Sequence, residues 1–86
     1  MLYYVYILKS EKDGTYYKGC TDNYLKRFNE HNAGLSEYTS HKIPWRLIYV
    51  EECDDKRSAL IRERKLKRCK AEYFEWLTKQ PSNILK

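Results

Sequence analysis

The stretch that most limits the fold is LYYVYILKSEKDGTYYKGC, residues 2–20. Two runs of β-branched and aromatic residues, 2–9 and 15–20, flank the turn-forming SEKDG, the pattern of a β-hairpin. Neighbouring strand residues point to opposite faces, so Tyr16 and Tyr17 cannot share a role. Tyr6 and Tyr17 differ in parity and meet on one face only if paired residue numbers sum to an odd value. Pairing Lys9 with Gly14 around a four-residue loop is the expected register, with Tyr6 opposite Tyr17. Tyr16 then falls with Lys18 on the other face, as the structural member of the pair. Tyr17 is the functional candidate, and Gly19, on its face, leaves space for close approach of a phosphate backbone. The chain has nine tyrosines against two phenylalanines, so much of its aromatic surface brings a hydrogen-bonding hydroxyl.

After the hairpin, Thr21 or Asp22 is the expected cap of a helix over NYLKRFNEHNA, with Gly34 as its stop. Helical spacing puts Tyr24, Leu25, Phe28 and Asn32 on one stripe and stacks Arg27 and His31 on its flank. Residues 35–44 read as a polar loop and WRLIYVEE, 45–52, as a third strand. Asp54 or Asp55 begins a second helix reaching about Cys69 or Lys70, with an apolar stripe of Ala59, Leu60 and Leu66. Glu63 projects into that stripe, where a carboxylate needs a partner, while Arg62, Arg64 and Lys65 point elsewhere. AEYFEWLTKQ reads as a short last helix presenting Tyr73, Phe74, Trp76 and Leu77. The expectation is an α+β fold, a three-stranded antiparallel sheet flanked by helices in the order β-β-α-β-α-(α). It forms a single domain over residues 1–80, with a frayed tail at 81–86.

With 86 residues and a formal net charge of +5, the chain favours polyanionic partners, nucleic acid foremost. No stretch approaches the roughly 18 apolar residues of a membrane span, and the N-terminus has no secretory pattern, so a cytoplasmic location is expected. Cys20, Cys53 and Cys69 contain no Cys-x-x-Cys pair and read as reduced thiols. A metal site of Cys20, His31, His41 and Cys53 fits no ligand spacing. Oligomeric state is unreadable at this length.

The unusual positions together make a hydrolytic kit. A phosphodiester is an anion, and its cleavage wants an arginine for developing charge, a carboxylate for a hard cation and a group that activates water. Arg27, Glu63 and the set of Tyr6, Tyr17 and His31 answer those needs. The plainer account makes the tyrosines half-buried sheet residues, lets Arg27 and His31 edge the core, and pairs Glu63 with Lys67 one turn on.

VYI at 5–7, YKG at 17–19, TDNYLKRFNEH at 21–31, SEYTSHKIPWRLIY at 36–49 and SALIRERKLK at 58–67 resemble, in that order, the GIY-YIG nuclease superfamily, closest to its small YhbQ-type bacterial branch. The resemblance implies metal-dependent cleavage of DNA. By it, Tyr6 and Tyr17 line the site, Arg27 contacts the scissile phosphate, His31 matches a histidine of active members, and Glu63 binds one divalent cation. That cation is magnesium, with manganese as a substitute. Gly19, Thr21 and Lys67 are the substrate-binding positions. Tyr6 is the expected base or water-orienting group. Two motif positions depart from the usual pattern, Val5 and Lys18, and the asparagine many active members carry beyond the glutamate helix has only Asn83 as counterpart. A nucleic-acid-binding or adaptor module without catalysis is the competing expectation. A protein-interaction domain anchored by Phe74 and Trp76 has less behind it, since core packing accounts for those residues.

Overall fold

The computed structural model describes residues 2–85. Its elements are β1 (Tyr3–Ser10), β2 (Tyr16–Thr21), α1 (Tyr24–Asn32), α2 (Glu37–Ser40), β3 (Trp45–Cys53), α3 (Lys56–Leu66) and α4 (Ala71–Leu77). They form the expected α+β architecture, an antiparallel sheet in the order β2-β1-β3 with helices on both faces.

The hairpin has the odd parity its sequence demands, but its register differs from the expected one by two residues. Lys9 pairs with Tyr16 and Tyr6 with Gly19. The connection still has four residues, but they are 11–14, since Ser10 N–H bonds Thr15 O and extends the ladder; the buried Ser10 organises the turn, its Oγ accepting from the Lys12 and Asp13 amides and donating to the Lys42 carbonyl. Gly14 closes the turn at φ 78°.

Alternation along β1 supplies two cores. Val5 and Ile7 face α3 and α4, packing with Tyr49, Ala59, Leu66 and Phe74. Tyr6 and Leu8 face α1, packing with Trp45, Val50, Tyr24 and Phe28. A bulge in β3 is needed for this arrangement, since Ile7 pairs with Tyr49 but Leu8 with Leu47. The extra residue, Ile48, joins Tyr49 on the α3 face. Trp45 and Leu47 can therefore share the α1 face with Val50 despite their opposite parity. Strict alternation across WRLIYVEE would have turned one set outward.

Helix caps also differ in detail. Asn23, not Thr21 or Asp22, caps α1 by accepting from the Lys26 amide, and Asp55 caps α3 by accepting from Ser58. Gly34, at φ 79°, stops α1 in a Schellman arrangement with Gly34 N–H on His31 O and Leu35 N–H on Glu30 O. Leu25 and Leu60, assigned to inner stripes, are 58% and 42% exposed. In each helix the buried stripe is centred one position over, on Tyr24–Phe28–His31 and Ala59–Leu66, which leaves the leucine about 100° away. Arg62, expected to point elsewhere, lies inward, with Nε 3.1 Å from Glu51 of β3.

Residues 81–85, expected to fray, lie along the outer edge of β3. The buried Asn83 accepts from the Val50 amide and donates to the carbonyls of Ile48 and Thr78, and Ile84 N–H bonds Val50 O. Asn83 thus covers the backbone polar groups that the bulged edge strand would otherwise present. No helix of the described residues is long and apolar enough to cross a membrane.

Candidate active site at the edge of the sheet

Tyr6 and Tyr17 meet diagonally on the α1 face, with ring centroids 6.3 Å apart. Gly19 lies opposite Tyr6 because nothing larger fits: a Cβ there would stand 2.5 Å from the Tyr6 hydroxyl and 2.6 Å from Cζ. The glycine is kept for space, so the Tyr6 ring lies over bare backbone.

From α1, His31 enters this cluster fully buried, its Nε2 3.0 Å from the Tyr6 hydroxyl and its Nδ1 2.7 Å from Thr39 Oγ1. The Thr39 hydroxyl donates to the Ser36 carbonyl at 3.4 Å. Oγ1 therefore accepts from Nδ1–H, and Nε2 is left to accept from the Tyr6 hydroxyl, a tautomer assigned from the network. Burial above all, then the Arg27 cation, lowers the His31 pKa to about 4, so the imidazole is neutral at pH 7 and suited to acceptance. Burial and the neighbouring Tyr17 hold the Tyr6 pKa well above its ordinary value, against the opposing influence of Arg27. Tyr6 thus keeps its proton and donates it to His31.

Arg27, one turn before His31, lies beside the Tyr6 hydroxyl and bonds Glu30 with Nη1 at 3.1 Å, its side chain 35% exposed. Tyr17 extends the cluster outward, contacting His31 at 5.0 Å, Trp45 at 6.3 Å and Tyr38 at 6.0 Å between ring centroids. Trp45 is fixed beneath it. Asn32 brackets its backbone at 2.6 and 3.0 Å, and its indole N–H donates to Thr39 O at 2.9 Å.

Glu63 arrives from the other face of the sheet, on α3 against β2. Its carboxylate is 2.9 Å from Lys67 and 17% exposed. Its negative charge adds to the upward shift at Tyr6. Burial, then a hydrogen bond to Glu63, pushes the Cys20 thiol up to about 12, so that thiol stays protonated. Lys67 lines a groove with Tyr16, Tyr17, Lys18 and Tyr38, residues from both sheet faces, so the groove passes over the outer edge of β2.

Tyr6, Tyr17, Arg27, His31 and Gly19 therefore form one contiguous group, joined by Glu63 and Lys67 across the strand edge. Thr21 stands apart in role, since its hydroxyl accepts from the Asn23 amide and shapes the turn into α1. Tyr16 is on the far face as its parity requires, its hydroxyl donating to Glu75 and its ring against Phe74. Asn83 is at the opposite edge of the sheet, and its four polar valences are committed to backbone groups. It has none left for a substrate.

Two contributors escaped the sequence, Thr39 and Tyr38, because residues 35–44 read as loop. The only signal was Ser36 before Glu37, a capping residue followed by an acid, and a helix of four residues has no periodicity to confirm it.

Among the described residues, no group of three or more His, Cys, Asp or Glu could hold a metal ion. The donor chemistry at Glu63, one carboxylate beside protonated hydroxyl and thiol groups, suits a hard cation that accepts a single protein oxygen and keeps its waters. It does not suit a soft, fully ligated one.

A family model described as the GIY-YIG catalytic domain matches residues 2–74. The chain belongs to the GIY-YIG family, a nuclease family that acts on nucleic acid and typically uses a divalent metal. Its relatives there are small proteins named UPF0213. One from Syntrophus aciditrophicus is 36% identical over 84 residues, spanning 94% of this chain and 95% of its own. One from Clostridium perfringens is 44% identical over 66 residues, spanning 76% and 70%. The solution NMR structure of a UPF0213 protein from Bacillus halodurans, 29% identical, matches with a TM-score of 0.58 over 99% of this chain and 90% of that one.

Proposed function

We propose that this protein is a metal-dependent endonuclease that hydrolyses phosphodiester bonds in DNA, in repair or processing. The observation that supports this most is the environment of the Tyr6 hydroxyl. It lies over Gly19, is oriented by a neutral His31, and is bordered by the Arg27 cation. A pure binding surface has no need of a buried hydroxyl held in one orientation beside a cation.

Each residue has a role consistent with its position. Arg27 takes charge developing on the phosphoryl oxygens. Glu63 holds a divalent cation, magnesium or manganese in its place, which would neutralise the phosphate and acidify a bound water. Tyr6, its own proton committed to His31, uses its oxygen lone pairs to orient that water and is not itself the base. Tyr17 walls the site beside it. Gly19, expected to leave room for the phosphate backbone, instead gives its space to the Tyr6 ring and acts by seating it, while Lys67 contacts a flanking phosphate and Thr21 acts through the turn that aims α1. Hydrolysis then forms one P–O bond to the water oxygen and breaks the bond to the leaving nucleotide oxygen; the proton released by the water passes to solvent, and the leaving oxygen takes one up from solvent.

A second reading, a nucleic-acid-binding module without catalysis, is favoured by the Glu63–Lys67 ion pair, which occupies the carboxylate the metal would need. Incubation with single-stranded, duplex and branched DNA, with magnesium, manganese or chelator, separates the two. Cleavage that needs the metal and disappears in Glu63→Ala and Arg27→Ala supports the nuclease. Retarded mobility with no cleavage in any condition supports the binding module and sinks the nuclease.

A further inference from the structure

Tyr38 stands largely outside the packed core. It sits on α2 with 64% of its surface exposed, yet it is not a stray apolar side chain. It ends a row of rings that begins in the core at Trp45 and passes through Tyr17. On one side its ring borders the groove over β2, with Tyr17, Lys18 and Lys67. On the other it borders a second groove, shared with His41 and Lys42. It is a projecting blade backed by Tyr17, with Lys18 and Lys67 on the side of the β2 groove, while on the other side Glu37 is present and Lys42 is paired with Asp13.

We infer that Tyr38 is a stacking platform for one unpaired nucleotide next to the scissile phosphate, and that the substrate is single-stranded or has an unpaired end. The inference deepens the nuclease reading by naming the substrate class at the same site. Every base has a π face, and an open aromatic ring beside a phosphate-binding groove is how proteins hold single strands. Charge complementarity supports this occupant. Lys18, whose ammonium lies over the Phe74 ring, and Lys67 both line the groove beside the blade. A duplex keeps its bases paired and stacked, and offers Tyr38 no face without flipping a base out.

The test is equilibrium binding in chelator, so that cleavage plays no part. Fluorescence anisotropy is measured for a labelled DNA 12-mer, single-stranded and as duplex, with wild type, Tyr38→Ala and Tyr38→Phe. An exposed residue is replaced, so folding is not at risk, and the phenylalanine variant keeps the ring. Tyr38→Ala should weaken single-strand binding roughly tenfold or more and duplex binding by less than about twofold, with Tyr38→Phe close to wild type. A 2-aminopurine placed in the strand should be quenched by wild type and not by Tyr38→Ala. Unchanged single-strand affinity in Tyr38→Ala, equal losses on both substrates, or no single-strand binding by wild type overturns the proposal. Binding that depends on Tyr38 without any cleavage in metal would sink the nuclease reading and leave this one standing.

Discussion

Gly19→Ala adds one methyl group and should be among the most damaging small changes in the chain. The added carbon would lie 2.5, 2.6 and 3.0 Å from the Tyr6 hydroxyl, Cζ and Cε1, and Tyr6 is 2% exposed, so its ring has no solvent to move into. Overpacking of this kind costs about 1–3 kcal/mol. Displacing the ring also breaks the 3.0 Å bond to His31, leaving a buried nitrogen without its donor, a further cost of about 1–3 kcal/mol. Reduced freedom of the unfolded chain returns only about 0.4–1 kcal/mol. The expected net loss is about 3 kcal/mol, read as a lower midpoint in urea denaturation at unchanged slope. In a Tyr6→Leu background the three close atoms are gone, so the alanine should cost nearly nothing there, and the double-mutant cycle isolates the contact. A loss below about 1 kcal/mol in the Tyr6 background, or an equal loss in both, would refute the close approach that defines the site.

Other outcomes follow from the same geometry. The His31 pKa is depressed from its unfolded value of about 6.5 to about 4, so its contribution to stability is complete above pH 6.5 and is lost as pH falls toward 4, by about 3 kcal/mol in all. Urea midpoints between pH 7 and 4.5, compared with His31→Gln, read this; NMR titration of His31 near 6.5 would contradict it. Tyr17→Ala, which removes the ring that walls the site, should lower DNA cleavage at least several-fold, whereas Tyr16→Phe should leave cleavage unchanged and reduce thermal stability through the lost bond to Glu75; the reverse ranking would contradict the strand parity. Asn83→Ala leaves Val50 N–H and the Ile48 carbonyl uncovered at the β3 edge and the Thr78 carbonyl uncovered at the end of α4, and should cost about 2 kcal/mol without altering cleavage by the folded fraction. Loss of cleavage at unchanged melting temperature would make Asn83 a catalytic residue.

The sequence disclosed most where a period was long enough to read. The hairpin, its odd parity and the separation of Tyr16 from Tyr17 rest on strand alternation, which tolerates the two-residue register shift because a shift of two preserves every face. What parity cannot supply is the partner across the strand, and Gly19 beneath Tyr6 became visible only with the register. The β3 bulge was hidden for a related reason, since Ile48 and Tyr49 are as apolar as a regular strand would have them. Leu25 and Leu60 misled because hydrophobicity was taken as burial, while the inner stripe of α1 instead carries His31 and that of α3 Glu63, the residues a site requires. The hydrogen bond from His31 to Thr39 joins two elements eight residues apart through a four-residue helix, and no local pattern encodes it.

The most direct test of the account is single-turnover cleavage of a labelled DNA strand by Glu63→Gln in magnesium, alongside binding of the same strand in chelator. Glu63→Gln keeps the shape of the side chain and removes only its charge. The expected outcome is a folded protein that binds the strand within about twofold of wild type and cleaves it at least about a hundredfold more slowly. Cleavage at the wild-type rate by a folded Glu63→Gln protein would contradict it.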